Sequence, residues 1–297
     1  MQSFSRGWSF LKQAWSMAFK DKDLLKPSVY ALVVGMIVSV IGIIPLAIAY
    51  FAFSSSSVGN FVLAIMGGIL IFVQFVVTYM FSGMTVYLIY GYLSEGDGRM
   101  DKAWAIVKRD FFDILTLAAV STVVNMLKSA AQRNRKNSIV SGLMRSATGL
   151  LETLWTEAAY LILPAMVIDD LNLKDSMQRI WKITKENLLL VGISTVGVRW
   201  VTGLISFLFS ATGLVLGFVI GGGLSIITGS TAISVVGIVI GAFIFFAFAM
   251  VASIFSSYTN TAYHTCLYIW AREVETAKAQ GSSVPVLAPA PLAAALA

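Results

Sequence analysis

The amino-acid sequence predicts an all-α, polytopic membrane protein. We expect about six transmembrane helices, arranged as three hairpin repeats that each follow an amphipathic interfacial helix. No Asp, Glu, Lys or Arg occurs from Pro27 to Ser94 or from Trp200 to Ala271. About 20 apolar residues cross the hydrocarbon of a bilayer, where a charge is unfavourable. Charged residues make up 12% of the chain, about half the share typical of soluble domains.

The first element is an amphipathic helix at the N-terminus. Phe4, Trp8, Leu11, Trp15 and Phe19 recur at helical spacing, with polar side chains between them. This pattern is typical of a helix that lies in the headgroup plane with its apolar face towards the lipid. The alternative is a helix packed on the protein's own membrane domain, and the two interpretations are compatible.

The same segment type returns twice. Each copy places a tryptophan on the apolar face, then a basic–acidic pair, then an apolar run. The pairs are Lys20-Asp21, Arg109-Asp110 and Lys185-Glu186. The tryptophans of the copies, together with one further tryptophan, are predicted interfacial anchors: Trp8, Trp15, Trp104 and Trp181.

This periodicity predicts an internal repeat. The predicted parts are unit 1 (1–97), unit 2 (98–172), unit 3 (173–276) and a flexible Ala/Pro-rich tail (277–297). The alternative is that amphipathic helices before membrane spans resemble one another by chance.

The apolar runs place the spans and orient them. We expect spans over about 28–53, 60–94, 111–130 and 146–168, a fifth from Asn187 and a sixth that ends near Trp270. Six spans leave both termini on one side, and most lysines and arginines lie on that side, which predicts that it is cytoplasmic. The basic cluster in 128–145 opposes this locally. Either this loop is external, which we favour, or the middle unit does not fully cross.

Side chains for conventional catalysis are few. The chain has one histidine and one cysteine, and neither a Gly-rich phosphate loop nor a nucleophile elbow is present in the sequence. We therefore expect no enzyme, no cofactor and no metal site. His264 is interpreted as a packed or interfacial residue rather than a proton relay. The basic residues flank apolar runs, which favours contact with anionic lipids over nucleic-acid binding.

Two charges inside the predicted spans form the candidate site. Glu157 lies twelve residues before Asp169, and Arg199 lies thirteen after Glu186, so both are about 18–20 Å from the same membrane face. Opposite charges at equal depth are expected to pair. The pair either holds the fourth span to the fifth or belongs to a polar cavity on a solute or ion path. Glu152 is a second candidate partner.

Glycine spacing is the other signal. Small residues recur every four positions on two predicted helices, which lets helix backbones approach closely. These glycines are Gly213, Gly217, Gly221, Gly237 and Gly241. The pattern indicates packing within a hairpin or between subunits of a homo-oligomer, and lining of a narrow pore is the alternative.

The chain also resembles a known family. The segment from Thr156 to Pro164, with Trp155 before it and Asp169 after it, precedes an amphipathic helix that contains Met177 to Trp181. This arrangement resembles an uncharacterised prokaryotic family of six-span membrane proteins, described as a domain of unknown function. It is loosely similar to the membrane-anchor portions of some glycerophosphodiester phosphodiesterases. The resemblance implies a prokaryotic inner (plasma) membrane and supplies no activity.

Two functions remain open. The first is a membrane scaffold or assembly subunit, homo-oligomeric and without catalytic activity, whose partners are membrane lipids and an unidentified membrane protein. The second is a channel or transporter for a small solute or lipid that uses the Glu157–Arg199 region. We favour the first, because intramembrane polar groups are sparse for a permeation path.

Overall fold

A computed structural model describes residues 2–53, 56–133, 139–186, 201–220, 231–281 and 286–296. In these residues every regular element is a helix. Six of the helices are long and apolar enough to cross a membrane. The predicted fold class, an all-α protein with six transmembrane helices, is therefore confirmed.

The helices follow the predicted order of amphipathic and apolar segments. They are α1 (Gln2–Lys20), α2 (Lys26–Phe53), α3 (Ser57–Glu95), α4 (Met100–Arg109), α5 (Phe111–Arg133), α6 (Ile139–Asp169), α7 (Leu173–Glu186), α8 (Val201–Ile220), α9 (Thr231–Ala279) and α10 (Ala290–Leu296). The spans are α2, α3, α5, α6, α8 and α9. The helices α1, α4 and α7 are the amphipathic elements predicted at the start of the three units.

The middle hairpin is longer than its apolar runs. Most of the basic cluster in 128–145 belongs to the ends of α5 and α6, and residues 134–138 lie outside the described residues. Both helices are long enough to cross a bilayer. α5 has 23 residues and α6 has 31, about 35 and 46 Å at 1.5 Å per residue, so both exceed the roughly 30 Å hydrocarbon core. The side of the membrane on which this hairpin turns stays a prediction.

The central helix is α3. It has 39 residues, about 58 Å at 1.5 Å per residue, and so exceeds the roughly 30 Å hydrocarbon core. It contacts α2, α4, α5, α6 and α9. The core lies where the second half of α3 meets α5, α6, α9 and the buried face of α1. Fully buried side chains there come from five helices: Phe10, Leu88, Ile114, Ile162 and Tyr263.

Both interpretations of α1 hold in part. One face packs on α9 and α10, and its buried side chains are Phe10, Leu11, Ala14, Met17 and Ala18. An adjacent face keeps aromatic rings exposed, with Trp8 50% and Phe19 61% accessible. The helix is thus attached to the membrane domain and still presents aromatic side chains that can contact lipid.

Polar contacts fix α1 on α9. The indole Nε1 of Trp15 donates to Thr259 Oγ1 at 3.0 Å, and the hydroxyl of Tyr258 donates to the carbonyl of Ala14 at 3.0 Å. The ring of Phe10 meets the ring of Tyr263 edge-on. Such directional bonds set the position of a helix that apolar burial alone would leave free to slide.

Two unit boundaries share a local geometry. After α3, Gly96 has a φ of +81°, and after α6, Asp170 has a φ of +55°. In both units, a residue just before the first span contacts the boundary after the second span. Asp21, before α2, accepts from the backbone N–H of Gly98 at 2.8 Å, and Arg109, before α5, pairs with Asp170 at 3.1 Å. A Cβ on Gly98 would lie 2.8 Å from the Asp21 carboxylate, so a larger residue there would displace the side chain that accepts this hydrogen bond. The duplication of units stays a prediction.

The last described helix of the chain packs on the first. Helix α10 packs on α1, with Leu292 fully buried. The indole N–H of Trp270 donates to the carbonyl of Val286 at 3.2 Å. The described residues of the tail, predicted as flexible, therefore pack on the protein, with α10 against α1 and α9. The predicted flexibility itself stays a prediction.

Candidate functional site

The predicted intramembrane carboxylate contacts a histidine. Glu157 Oε2, on α6, lies 3.2 Å from Nε2 of His264, on α9. The histidine side chain is 6% exposed and that of Glu157 is 24% exposed. The predicted partner Arg199 lies outside the described residues, so the Glu157–Arg199 pair stays a prediction.

Aromatic rings hold the imidazole of His264. Its ring stacks on Tyr160 at a centroid distance of 4.9 Å and an angle of 18°, and it meets Tyr263 edge-on at 5.1 Å. Its Nδ1 lies 2.7 Å from the carbonyl oxygen of Asn260, one turn earlier in α9. The prediction that His264 is packed agrees with this arrangement. Its contact with Glu157 could have been proposed from sequence only if the helix pair α6–α9 had been known.

A cavity of about 110 Å³ lies beside this pair, between α3, α5 and α6. Its walls are mostly rings and methyl groups, among them Phe75, Leu163 and Tyr160. Polar side chains reach it from all three helices: Thr78, Tyr79, Ser82, Ser121, Asn125, Glu152 and Thr156. We call this space the chamber. Sequence reasoning missed it because these hydroxyl and amide groups lie on three separate spans.

A hydrogen-bond cluster forms the chamber wall. The hydroxyls of Tyr79 and Ser121 lie 2.8 Å apart, and the indole N–H of Trp155 donates to Ser121 Oγ at 2.8 Å. At 1.5 Å per residue, Ser121 is about 15 Å from the start of α5, and Trp155 is about 21 Å from the end of α6. The cluster therefore lies near the middle of a roughly 30 Å hydrocarbon layer.

An ion pair stands at the far end of the chamber. Lys128 Nζ, on α5, lies 2.7 Å from Glu152 Oε1, on α6, and the two side chains are 31% and 28% exposed. The two residues lie at matching depths along their helices. Lys128 lies eighteen residues after Asp110 and Glu152 lies seventeen before Asp169. Sequence reasoning instead offered Glu152 as a partner for Arg199.

A second set of charges joins α6, α7 and α9 at the end of the spans that adjoins the amphipathic helices. Asp169 Oδ1 pairs with Arg272 at 2.7 Å, and its Oδ2 lies 3.4 Å from Arg179. Arg179 and Lys182 both reach Glu275, at 3.5 and 3.0 Å. We call these five residues, with Arg109, Asp110 and Asp170, the charged layer.

The carboxylates of the charged layer are neutralised by arginine rather than arranged around an ion. Asp110 is buried between α4 and α5, and burial raises the pKa of its carboxyl even though Arg109 Nε lies 2.6 Å away. Arg109 also reaches Asp170. Within the described residues no group of three or more His, Cys, Asp or Glu side chains is placed to hold a metal.

The predicted glycines bring α8 and α9 together. The Cα atoms of Gly217 and Gly241 face each other so closely that a Cβ on either would collide with the backbone carbonyl of the other. A Cβ on Gly213 would lie 2.6 Å from Cβ of Phe248. Gly237 is also buried, and Gly221 lies outside the described residues. The contact observed is within one chain.

The predicted anchors differ in their surroundings. Trp8, Trp104 and Trp181 are 50%, 40% and 73% exposed, which leaves their rings accessible to lipid. The Nζ of Lys108 lies 5.3 Å from the Trp104 ring. Trp15 is half-buried against α9, with its ring 4.9 Å from that of Phe255.

Two comparisons, with protein-family models and with curated proteins, were without a match. No protein-family model matches the chain, and no curated protein matches it at a significant level. The resemblance to a six-span prokaryotic family therefore stays a prediction, and the function must be argued from the chamber and its surroundings.

Proposed function

We propose that this membrane protein is a channel or transporter that takes a small polar solute into the chamber between α3, α5 and α6. One observation carries the proposal: polar groups of three spans line one cavity. Intramembrane polar groups are unfavourable unless they face a cavity or one another, and they commonly mark solute or ion paths. The chamber thus gathers polar groups from three separate spans.

The chamber dimensions limit the solute. An engineered apolar cavity of about 150 Å³ holds one benzene molecule, which has six non-hydrogen atoms, so the chamber, at about 110 Å³, suits a solute of about four or five non-hydrogen atoms. Its walls are largely apolar with a few placed polar groups, which is the usual composition of a small-molecule site. A lipid headgroup with its glycerol is larger than this space. A small solute is therefore favoured over a lipid.

The scaffold hypothesis receives less support. It relied on glycine faces that would join subunits and on the sparseness of polar groups. Gly217 and Gly241 meet within one chain, so this glycine contact is already occupied in the monomer. We retain homo-oligomerisation and a non-enzymatic role as proposals that do not depend on that face.

We further propose an inner (plasma) membrane of a prokaryote as the location, with both termini in the cytoplasm. The excess of Lys and Arg on the side of the termini supports the orientation, and the choice of membrane is what the family resemblance implies. Asn134→Cys in a Cys266→Ser background should react with an impermeant thiol reagent in intact cells. Reaction only after lysis would contradict this orientation.

The function is tested by filling the chamber. Thr156 and Thr153 both donate to the carbonyl four residues earlier in α6, but Thr156 lines the chamber and Thr153 is exposed on another face. Stopped-flow light scattering on proteoliposomes would measure the permeability to urea, glycerol, ethylammonium and acetate. We expect at least one of these solutes to enter faster than into protein-free vesicles.

Thr156→Trp should abolish that excess permeability, because an indole fills most of the chamber, and Thr153→Trp should retain it. Equal loss in both variants would indicate a general folding defect rather than a blocked path. Permeability indistinguishable from that of empty vesicles for every solute, with and without a solute or proton gradient, would sink the proposal.

A further inference from the structure

The geometry of the contact between His264 and Glu157 determines how many protons the two side chains share. The carbonyl oxygen of Asn260 lies 2.7 Å from His264 Nδ1. A carbonyl oxygen can only accept, so Nδ1 must carry a hydrogen. This assigns the tautomer of the ring: if the imidazole is neutral, its Nε2 has a lone pair and no hydrogen.

The second nitrogen then requires a proton of its own. Nε2 lies 3.2 Å from Glu157 Oε2. A neutral imidazole beside an ionised carboxylate would place two lone pairs against each other with nothing between them. The contact is favourable only if one proton lies between Nε2 and Oε2, either on the imidazole, giving an imidazolium–carboxylate pair, or on the carboxyl.

We infer that His264 and Glu157 together form an intramembrane proton-binding site that holds one shared proton between α6 and α9. Loss of that proton removes the attraction between the two helices at this point and replaces it with repulsion. The site is therefore a proton-dependent link between α9 and the helix that forms one wall of the chamber.

The other described groups around the imidazole supply no further ion pair to His264. The titratable side chains that face His264 in the described residues are Glu157 and Tyr160 from α6 and Tyr263 from α9 itself. The tyrosines contact it through their rings. From α1, α2 and α3, which also pack on α9, no described side chain forms an ion pair with it. Arg199 lies outside the described residues, and the inference of one shared proton follows from the contacts of the two imidazole nitrogens alone.

The site is placed to act on the chamber. Tyr160 stacks on the imidazole and also lines the chamber. Movement of the imidazole on loss of the proton would therefore shift one wall of the solute space. Coupling of proton and solute movement rests on the proposed function, but the proton-binding site does not.

The single histidine of the chain makes the test direct. The protein, purified without a histidine tag and labelled with ¹⁵N-histidine, would be studied in lipid bilayers by solid-state NMR between about pH 5 and 9. We expect Nδ1 to remain protonated throughout. We expect Nε2 to show a hydrogen-bonded or protonated signal that is lost in one transition as the pH rises.

Matched variants of α6 locate the proton partner. Glu157→Gln keeps the shape and can donate an amide N–H to Nε2, so the Nε2 transition should shift by about tenfold or more in proton affinity or disappear. Glu152→Gln, five residues earlier and paired with Lys128, should leave the transition within about twofold.

Two outcomes would overturn the inference. One is an unprotonated Nδ1 or a freely accepting Nε2 across the whole range, which needs only the unaltered protein and so does not depend on how a variant folds. The other is an Nε2 transition that is the same in Glu157→Gln as in the unaltered chain. The NMR measurement uses no solute. A negative result in the permeability assay would therefore not contradict the proton-binding site, and a negative NMR result would not contradict solute permeation.

Discussion

The hairpins α5–α6 and α8–α9 cross the same membrane but are held together by different means. In their most apolar stretches, 33% of α5 and 44% of α6 residues are buried, against 11% of α8 and 17% of α9. The first hairpin is joined by polar side chains, the Lys128–Glu152 pair and the Ser121–Trp155 bond. The second is joined by direct contact of backbones at glycine.

The difference follows from the solvent. Lipid tails are as apolar as leucine, so burial of apolar side chains hardly drives two helices together in a bilayer. Close backbone contact or hydrogen bonds must do it instead. Close contact leaves no space between helices, whereas polar contacts hold them at side-chain distance and permit a cavity. The chamber accordingly lies beside α5 and α6.

The largest expected effect is a break in the glycine contact. Gly217→Leu should lower the free energy of unfolding by about 3 kcal/mol, because its side chain cannot fit against the backbone of Gly241. The matched control is Gly203→Leu in the same helix, where a Cβ would meet nothing within 4 Å. The control should be neutral or slightly stabilising through its better helix propensity.

Unfolding in SDS titrations would measure both variants. Size-exclusion chromatography would show whether Gly217→Leu also changes the oligomer. Equal stability of the two variants would mean that the glycine contact does not hold α8 to α9. The statement that backbone contact joins the second hairpin would then be wrong.

The next effect concerns the polar hairpin. Ser121→Ala removes the partner of the Tyr79 hydroxyl and of the Trp155 indole, and stranded buried polar groups of this kind cost about 2 kcal/mol together. Thr122→Ala is the control, since Thr122 is buried beside it and donates to the carbonyl of Ala118 in its own helix. That loss should be about 0.5 kcal/mol. The same SDS titration would test whether Ser121→Ala lowers the free energy of unfolding more than Thr122→Ala does.

A third test asks whether the ion pair at the far end holds α5 to α6. Lys128→Met and Glu152→Gln, singly and combined, form a double-mutant cycle. Because both side chains are about a third exposed, the coupling should be only about 1 kcal/mol, between the values for exposed and buried pairs. Strict additivity of the two losses would show that this pair does not join the helices.

The smallest effect concerns the pH dependence at the entrance of α5. Burial raises the pKa of Asp110 above its usual 3.8, so the folded state binds a proton that the unfolded state has released. The contribution of Asp110 is therefore most favourable below pH 3.8 and is lost as pH rises through its raised pKa.

Asp110→Asn should remove this part of the pH dependence. Thermal unfolding followed by circular dichroism at several pH values would show it, with Asp113→Asn in the first turn of α5 as the control. If the pH dependence of thermal stability is the same in Asp110→Asn as in the unaltered chain, a group other than Asp110 determines it.

Some of these features could be predicted from the sequence and others could not. Long runs without charge determine spans, because the cost of a charge in hydrocarbon is a local property of each segment. The amphipathic helices α1, α4 and α7 are likewise local, because their faces follow from a period of 3.6 residues. The glycine spacing predicted a close helix contact for the same reason.

The partners of the intramembrane charges needed the tertiary structure. Depth along a helix follows from residue number, and it predicted that Glu157 would meet an opposite charge at its level. It cannot say which helix lies alongside, so the contact with His264 on α9 was missed, and so was the pairing of Lys128 with Glu152. By itself the sequence determined which segments cross the membrane and at what depth each polar group lies. Only the packing of the spans decided which groups meet and where a chamber remains, because neighbouring helices in a bilayer are selected by contacts between residues far apart in the chain.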